Sequence, residues 1–460
     1  MVARRLGAAA STVAILAGAV LAGDWPGWRG PRGDGRSDEA EAPARWGPKE
    51  NIAWRVEVPG TAHSSPIVVG DALFVTTATG EGKEARRLLL RYHLAGGSLA
   101  WEREVVRAPL EGKHFKNSHA SGTPASDGER VYTAFLAGRK VHVAAVGLDG
   151  RASWEATPCG FRSVHGFCSS PVLHQGLVIV NCDQDSEEAA LYAFEGETGE
   201  VRWRAGRENH VRSYVTPLIA EIAGKPRLFL SGSQCVTAYD PANGKRVWVC
   251  DGPTEQCVAS PVFGEGLVFI TGGYPGREIL AIRPDGRGDV TRSHVAWRSP
   301  KGVAYVPSPL FAGGRFYVVH DETGVLSAYD ARTGKLDWQE RLGGKFSSSL
   351  TLAAGRIYLA SEDGEVHVVA PGPRFERVAL NRMGEGIFAS PAVAGGRIYL
   401  RTTRALYAIG AKAIAAAAPE PTGTLTGSED SGDGGAPPAP ETLAEWLKVL
   451  AAGALPDDSR

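Results

Sequence analysis

The chain repeats itself. Seven Ser/Thr-Pro steps, at Pro66, Pro124, Pro171, Pro217, Pro261, Pro309 and Pro391, each open a short apolar strand, and Leu350 takes the same place in an eighth copy. That copy is recognised because Gly355-Arg356-Ile357-Tyr358 aligns with Gly314-Arg315-Phe316-Tyr317 and Gly396-Arg397-Ile398-Tyr399. Tryptophans keep the same count, at Trp54, Trp101, Trp154, Trp203, Trp248, Trp297 and Trp338, with Ala379 standing where the next would fall. Eight units between Asn51 and Gly410 give about 45 residues each.

Short strands at that period, with Val, Ile, Tyr and Phe alternating with polar residues and Gly or Pro interrupting every ten residues or so, exclude a helical solenoid. They predict an all-β, eight-bladed β-propeller of four-stranded antiparallel blades. The last unit stops at Ala405-Leu406-Tyr407-Ala408-Ile409, one strand short, and a spare strand, Ile52-Ala53-Trp54-Arg55-Val56, precedes the first. Pairing the two closes the ring and removes the exposed edges that invite aggregation. The 58 glycines then serve the turns of a single closed unit rather than several domains.

The turn between third and fourth strands carries the clearest motif: AFEGETGEVRW from Ala193 to Trp203, AYDPANGKRVW from Ala238 to Trp248, and AYDARTGKLDW from Ala328 to Trp338. Asp240 and Asp330 are placed to cap turn amides, Gly199, Gly244 and Gly334 to supply positive φ, and the Trp to fill the wedge between blades. The motif resembles the tryptophan-docking repeat of the PQQ-repeat propeller superfamily, which includes the quinoprotein alcohol dehydrogenases and the BamB-type outer-membrane assembly factors. The resemblance covers residues 51–410. A second, local one is Asp24-Trp25-Pro26-Gly27-Trp28-Arg29-Gly30-Pro31, similar to the leader of exported PQQ-repeat proteins of planctomycete-type bacteria.

Residues 1–23, with Arg4 and Arg5 ahead of an alanine-rich apolar run, read as a signal peptide, too short to span a membrane. Asp24 follows Leu21-Ala22-Gly23 where a lipoprotein would need cysteine, so an exported, unlipidated periplasmic or extracellular protein is expected. Residues 24–50 are expected to lie on the propeller as a leader. Residues 411–441, rich in Ala, Pro, Gly, Ser and acid, read as a disordered linker. Residues 442–460 are a short amphipathic helix and tail, with Leu443, Trp446, Leu447 and Leu450 on one helical face.

A formal charge of -1 gives no global field for nucleic acid. Selectivity must come from the second-to-third and fourth-to-first connections, which vary in length on one face: Thr76 to Arg87, Glu104 to Ala120, Asn181 to Ala189 and Gly272 to Arg277. Lys113, His114, Phe115 and Lys116 are the binding-face candidates there. His63, His119, His165 and His210 share that rim as weak metal candidates, although their unequal offsets from the prolines do not bring them to one point. Asp183, Asp185, Glu187 and Glu188 lack the glycine turn and terminal Glu of a calcium loop. The paired serines Ser64-Ser65, Ser169-Ser170 and Ser347-Ser348-Ser349 read as rim hydrogen-bonding groups rather than nucleophiles.

Six cysteines in an exported chain favour disulfides, and the loop pairs Cys159 with Cys168 and Cys250 with Cys257 are expected, with Cys182–Cys235 left as a cross-blade bridge. No Gly-x-Ser-x-Gly elbow, His-Glu-x-x-His or P-loop lysine is present, and no two cysteines are adjacent as in the quinoprotein alcohol dehydrogenases. The reading is therefore a monomeric, non-catalytic scaffold without a cofactor that binds a protein or extracellular ligand, with a role in envelope protein assembly implied by the BamB-type resemblance. The alternative that the same superfamily implies is a dehydrogenase using PQQ with calcium.

Overall fold

A computed structural model describes residues 23–207 and 209–410; the signal segment up to residue 22, the linker and the C-terminal helix expected from the sequence lie outside the described residues. Eight antiparallel sheets follow one another around a ring. Blade 1 runs from strand Ile67–Val69 to Leu99–Arg107, blade 2 from Ala125–Ser126 to Ala152–Ala156, blade 3 from Val172–His174 to Val201–Gly206, and blade 4 from Leu218–Ile222 to Arg246–Asp251. Blade 5 runs from Val262–Gly264 to Val295–Ser299, blade 6 from Leu310–Ala312 to Leu336–Arg341, and blade 7 from Thr351–Ala353 to Arg377–Arg382. Blade 8 takes three strands from the end of the repeat and its fourth, Ile52–Glu57, from the beginning, paired antiparallel with Ala405–Ile409. Blade 4 alone gains a fifth member, Gly288–Asp289, in parallel with its outer strand.

Each repeat tryptophan joins two blades. The indole N–H of Trp154 donates to the Gly196 carbonyl of the next blade at 2.8 Å, and Trp54, Trp101, Trp203, Trp248, Trp297 and Trp338 make the same step to Leu94, Leu148, Pro241, Pro284, Ala331 and Gly372. Five of the rings, those of Trp54, Trp101, Trp154, Trp203 and Trp297, cover the turn glycine of that next blade. At Gly334, with φ 70°, a Cβ would meet the Trp297 ring at 2.5 Å, so the position needs glycine twice over, for its backbone and for its neighbour. Asp240 and Asp330 cap the amides of Ala242 and Thr333 as the turn chemistry predicts.

At the inner ends of the blades, the hydroxyl before seven of the eight proline positions accepts the backbone N–H of its counterpart one blade earlier, and the eighth, Ser260, accepts the Trp28 indole instead. The links run Ser65 to Thr123, Thr123 to Ser170, Ser170 to Thr216, then Ser260 to Ser308, Ser308 to Ser349, Ser349 to Ser390 and Ser390 back to Ser65, at 2.9–3.0 Å. A short side chain with one acceptor oxygen is required there, which explains the Ser/Thr of every step. Of the paired serines, Ser65, Ser170 and Ser349 are among these acceptors.

Blade 7 shows how the ring copes with its missing tryptophan. In six of the other seven blades the Trp packs beside the aromatic residue of its own second strand, with ring centroids 5.8–6.0 Å apart for the pairs with Tyr399, Phe74, Tyr132, Phe229, Phe269 and Tyr317; blade 3 has no aromatic in that strand. In blade 7 that aromatic is Tyr358, and Trp46 from the leader stacks on it at 6.3 Å over the small Ala379. Asn381 holds Trp46 in place by accepting its backbone N–H at 2.9 Å and donating to the Ala44 carbonyl at 3.0 Å.

Candidate functional site

The inner strands enclose a channel, and the chain closes both mouths. On the lower face, where first-to-second turns lie, the leader crosses from blade to blade. Trp25 exchanges two backbone hydrogen bonds with Val68 of blade 1, Ser126 of blade 2 donates to Pro26, and Gly35 and Ser37 pair with Leu352 of blade 7. Trp28 stands at the lower mouth and gives its indole N–H to the Ser260 hydroxyl at 3.0 Å. The buried Arg29 reaches the carbonyls of Pro309 at 2.6 Å and Asp34 at 2.8 Å.

The upper mouth is closed by the connection between blades 1 and 2. Lys116 extends from it to blade 6, where its ammonium lies 3.0 Å from Asp321 and also pairs with Glu322. Lys116 is 7% exposed and Asp321 1%, so this pair is a latch across the mouth. The candidate binding segment is therefore a strap rather than a free basic loop: Lys116 is engaged with two carboxylates, His114 lines the channel, and Phe115 packs on His114 at 4.4 Å. Lys113 is half-buried, and burial lowers its ammonium pKa.

Between strap and Trp28 lies a chamber of about 120 Å³. His165 enters it with Nδ1 at 2.8 Å from the Tyr214 hydroxyl, and its ring meets His114 edge-on at 5.2 Å. His63 stacks on Phe388 at 4.4 Å with the two rings nearly parallel. The four rim histidines do not converge. His119 faces a separate small pocket beside Lys113, and His210 is exposed. Among the described residues no three His, Cys, Asp or Glu side chains are placed to hold a metal ion. The acidic loop is spent on ion pairs, Asp183 with Arg207 and Asp185 with Arg212.

Burial, reinforced by Lys113 and Arg401, pushes His63 down to about 3. Burial with Lys113 and Arg87 takes His119 to about 4, and burial with His114 and Arg212 takes His165 to about 4. These imidazoles are neutral at neutral pH. Because their folded pKa values lie below the ordinary value near 6.5, acid protonates the unfolded chain first. Stability is expected to be full above about pH 6.5 and to fall as pH drops from there towards 4, read as the urea midpoint. His63→Phe, which keeps the stack on Phe388, is expected to flatten part of that slope; an unchanged slope contradicts the assignment for His63.

All six cysteines are free thiols, which corrects the expected loop disulfides. Cys159 lies against Cys182 of blade 3 in one buried cluster, whereas Cys168 approaches the Tyr214 carbonyl at 3.6 Å. Cys250 points to Asp251, and Cys257 is buried beside Ser231. Spacing along a loop does not say which blade a thiol turns towards. Oxidised glutathione is expected to give a Cys159–Cys182 disulfide in peptide maps; recovery of Cys159–Cys168 instead would contradict this placement.

Two further differences from the sequence reading concern the loops. Thr76–Thr79 and Arg86–Arg87 extend the strands of blade 1, and Glu104–Arg107 belongs to its outer strand, so the variable loops there are shorter than expected. The strap itself gives no local signal, because its closing contact joins residues 205 positions apart.

The model of the outer membrane protein assembly factor BamB family matches residues 85–289 and 277–371, more than half of the chain. The chain belongs to that family. A BamB from Burkholderia pseudomallei (strain K96243) is 25% identical over 323 residues, covering 66% of this chain and 73% of that protein. The BamB structure from Moraxella catarrhalis superposes with a TM-score of 0.55 at 13% identity, over 77% of this chain and 98% of its own. The quinohemoprotein alcohol dehydrogenase of Comamonas testosteroni, with a TM-score of 0.61 at 13% identity over 90% and 84% of the two chains, shares the fold. So does a europium-containing methanol dehydrogenase, at 0.60 and 11% over 84% and 91%.

Proposed function

We propose that this member of the BamB family is an exported, non-catalytic propeller that binds a protein partner through its upper face and acts in envelope protein assembly. The observation that carries this is where apolar surface is exposed. Leu110 (38%), Val164 (43%) and Tyr274 (57%), three of the six exposed large apolar side chains among the described residues, sit on upper-face connections, from blades 1, 2 and 5, around a mouth already closed by the strap; Leu99, Val201 and Leu336 stand singly on the outer strands of three different blades. Aromatic and aliphatic side chains left in water around a polar rim are what a protein interface buries. Membership of a family of assembly factors agrees with that reading.

The chamber does not fit PQQ with calcium. Its lining contributes Lys116 and imidazoles but no carboxylate, so a divalent cation finds no anionic ligand there. Its volume of about 120 Å³ is small beside the ~300–1,000 Å³ of sites that hold ligands of that size. Adding PQQ and calcium to the purified protein is expected to give neither a bound-quinone spectrum nor alcohol-driven dye reduction. A bound quinone with turnover would overturn the non-catalytic reading.

A further inference from the structure

The lower face holds a second opening that the leader leaves uncovered. Alongside the inner strands of blades 3 and 4 the leader stands off, and a cleft of about 730 Å³ remains between them. Leu173, Ile219, Phe263 and Trp28 line it half-buried, and the buried Nε2 of His174, another lining residue, has no hydrogen-bond partner among the described residues. Arg32, Asp34, Arg36, Asp127 and Glu221 also belong to the lining, so the cleft pairs an apolar strip and one unsatisfied polar atom with charged residues, a groove shaped for an amphipathic segment that also offers a hydrogen-bonding group.

The repeat ends on the same face. Gly410, which closes on the Asn51 carbonyl, borders a hollow shared with Ala42 and Pro43 of the leader. The leader thereby measures the route from exit to cleft, since Arg36 lines the cleft and Pro43 lies at the exit. Seven residue steps span at most about 25 Å. A random coil of as many residues as 411–441 contains has a root-mean-square reach of about 30 Å. Beyond it, Leu443, Trp446, Leu447 and Leu450 recur at the spacing of one helical face.

We propose that the segment 442–452 docks in this cleft with those apolar residues inward. Tethering makes the encounter intramolecular, with an effective concentration in the millimolar range, so modest contacts suffice. The inference stands apart from the upper-face function, because it concerns the opposite mouth and needs no partner.

Hydrogen exchange on the full chain tests it. Residues 171–178 and 217–222 are expected to exchange at least tenfold more slowly in the native chain than in Trp446→Asp or Leu447→Asp, with exchange elsewhere in the ring unchanged. A synthetic peptide of residues 440–454 is expected to restore that protection to the Trp446→Asp chain and to shift its own Trp emission to the blue on binding. Equal exchange in native and variant chains would overturn the proposal, as would protection appearing at another site. Protection that weakens on dilution would assign the cleft to a second copy of the chain and overturn it equally.

Discussion

Arg207→Met is expected to destabilise the propeller by about 3–5 kcal/mol, the cost of leaving a buried charge without its partner. Arg207 follows the outer strand of blade 3 and shares its guanidinium between its own blade and blade 4. Nε donates to Asp183 at 2.9 Å, one terminal nitrogen to Tyr239 at 2.8 Å and Thr237 at 3.1 Å, and the other to the Gly232 carbonyl at 2.9 Å. Side-chain exposure is 2% for Arg207 and 0% for Asp183, so water cannot replace what the substitution removes. Paired substitution, Arg207→Met with Asp183→Leu, is expected to recover most of the loss, because an apolar pair of similar volume avoids the desolvation both ions bear. Urea denaturation of the two variants checks this. If the single variant unfolds at the native midpoint, Arg207 is not the joint between these blades.

Trp46→Ala is the second large effect, also about 3–5 kcal/mol, the usual cost of truncating a buried Trp. The ring is 5% exposed and its indole N–H lies 3.2 Å from the Met383 sulfur. The loss is local to the seam of blade 7. Restoring the indole from the repeat itself, as Ala379→Trp in the Trp46→Ala background, is expected to regain part of the stability. The same Ala379→Trp change in the native chain is expected to destabilise it, because two indoles would then compete for the surface of Tyr358. A Trp46→Ala chain with unaltered stability would show that the leader merely rests on the ring.

These two residues mark the boundary of what could be read in advance. The ring was legible because its blades draw on a shared short-range chemistry: at seven inner steps a hydroxyl that accepts the preceding blade's amide, under five indoles a glycine, and at Asp240 and Asp330 a cap on the turn. Such requirements recur at a fixed period, and even the gap at Ala379 was visible. What fills that gap was not, since Trp46 reaches Tyr358 from outside the repeat and no spacing rule links them. The strap is illegible for the same reason. Lys113 to Lys116 reads as a basic loop, and its role depends on Asp321 and Glu322, carboxylates in a distant blade that the closed ring carries round to the same mouth. The thiols repeat the lesson, with Cys159 turned towards Cys182 across a seam rather than along its own loop.

The functional account therefore rests on surface rather than on chemistry. The mouths of the channel are closed by Trp28 and Lys116, His63, His119 and His165 are neutral at neutral pH, and Leu110, Val164 and Tyr274 stand exposed on upper-face loops. A photo-reactive amino acid placed at Val164 or Tyr274 in living cells tests it most directly. The account predicts a discrete cross-linked envelope protein from those two positions, lost when Leu110→Glu is added and absent when the same probe is placed at Val201 on the outer strand of blade 3. Cross-links of equal yield from Val201, or none from Val164 and Tyr274, would contradict it.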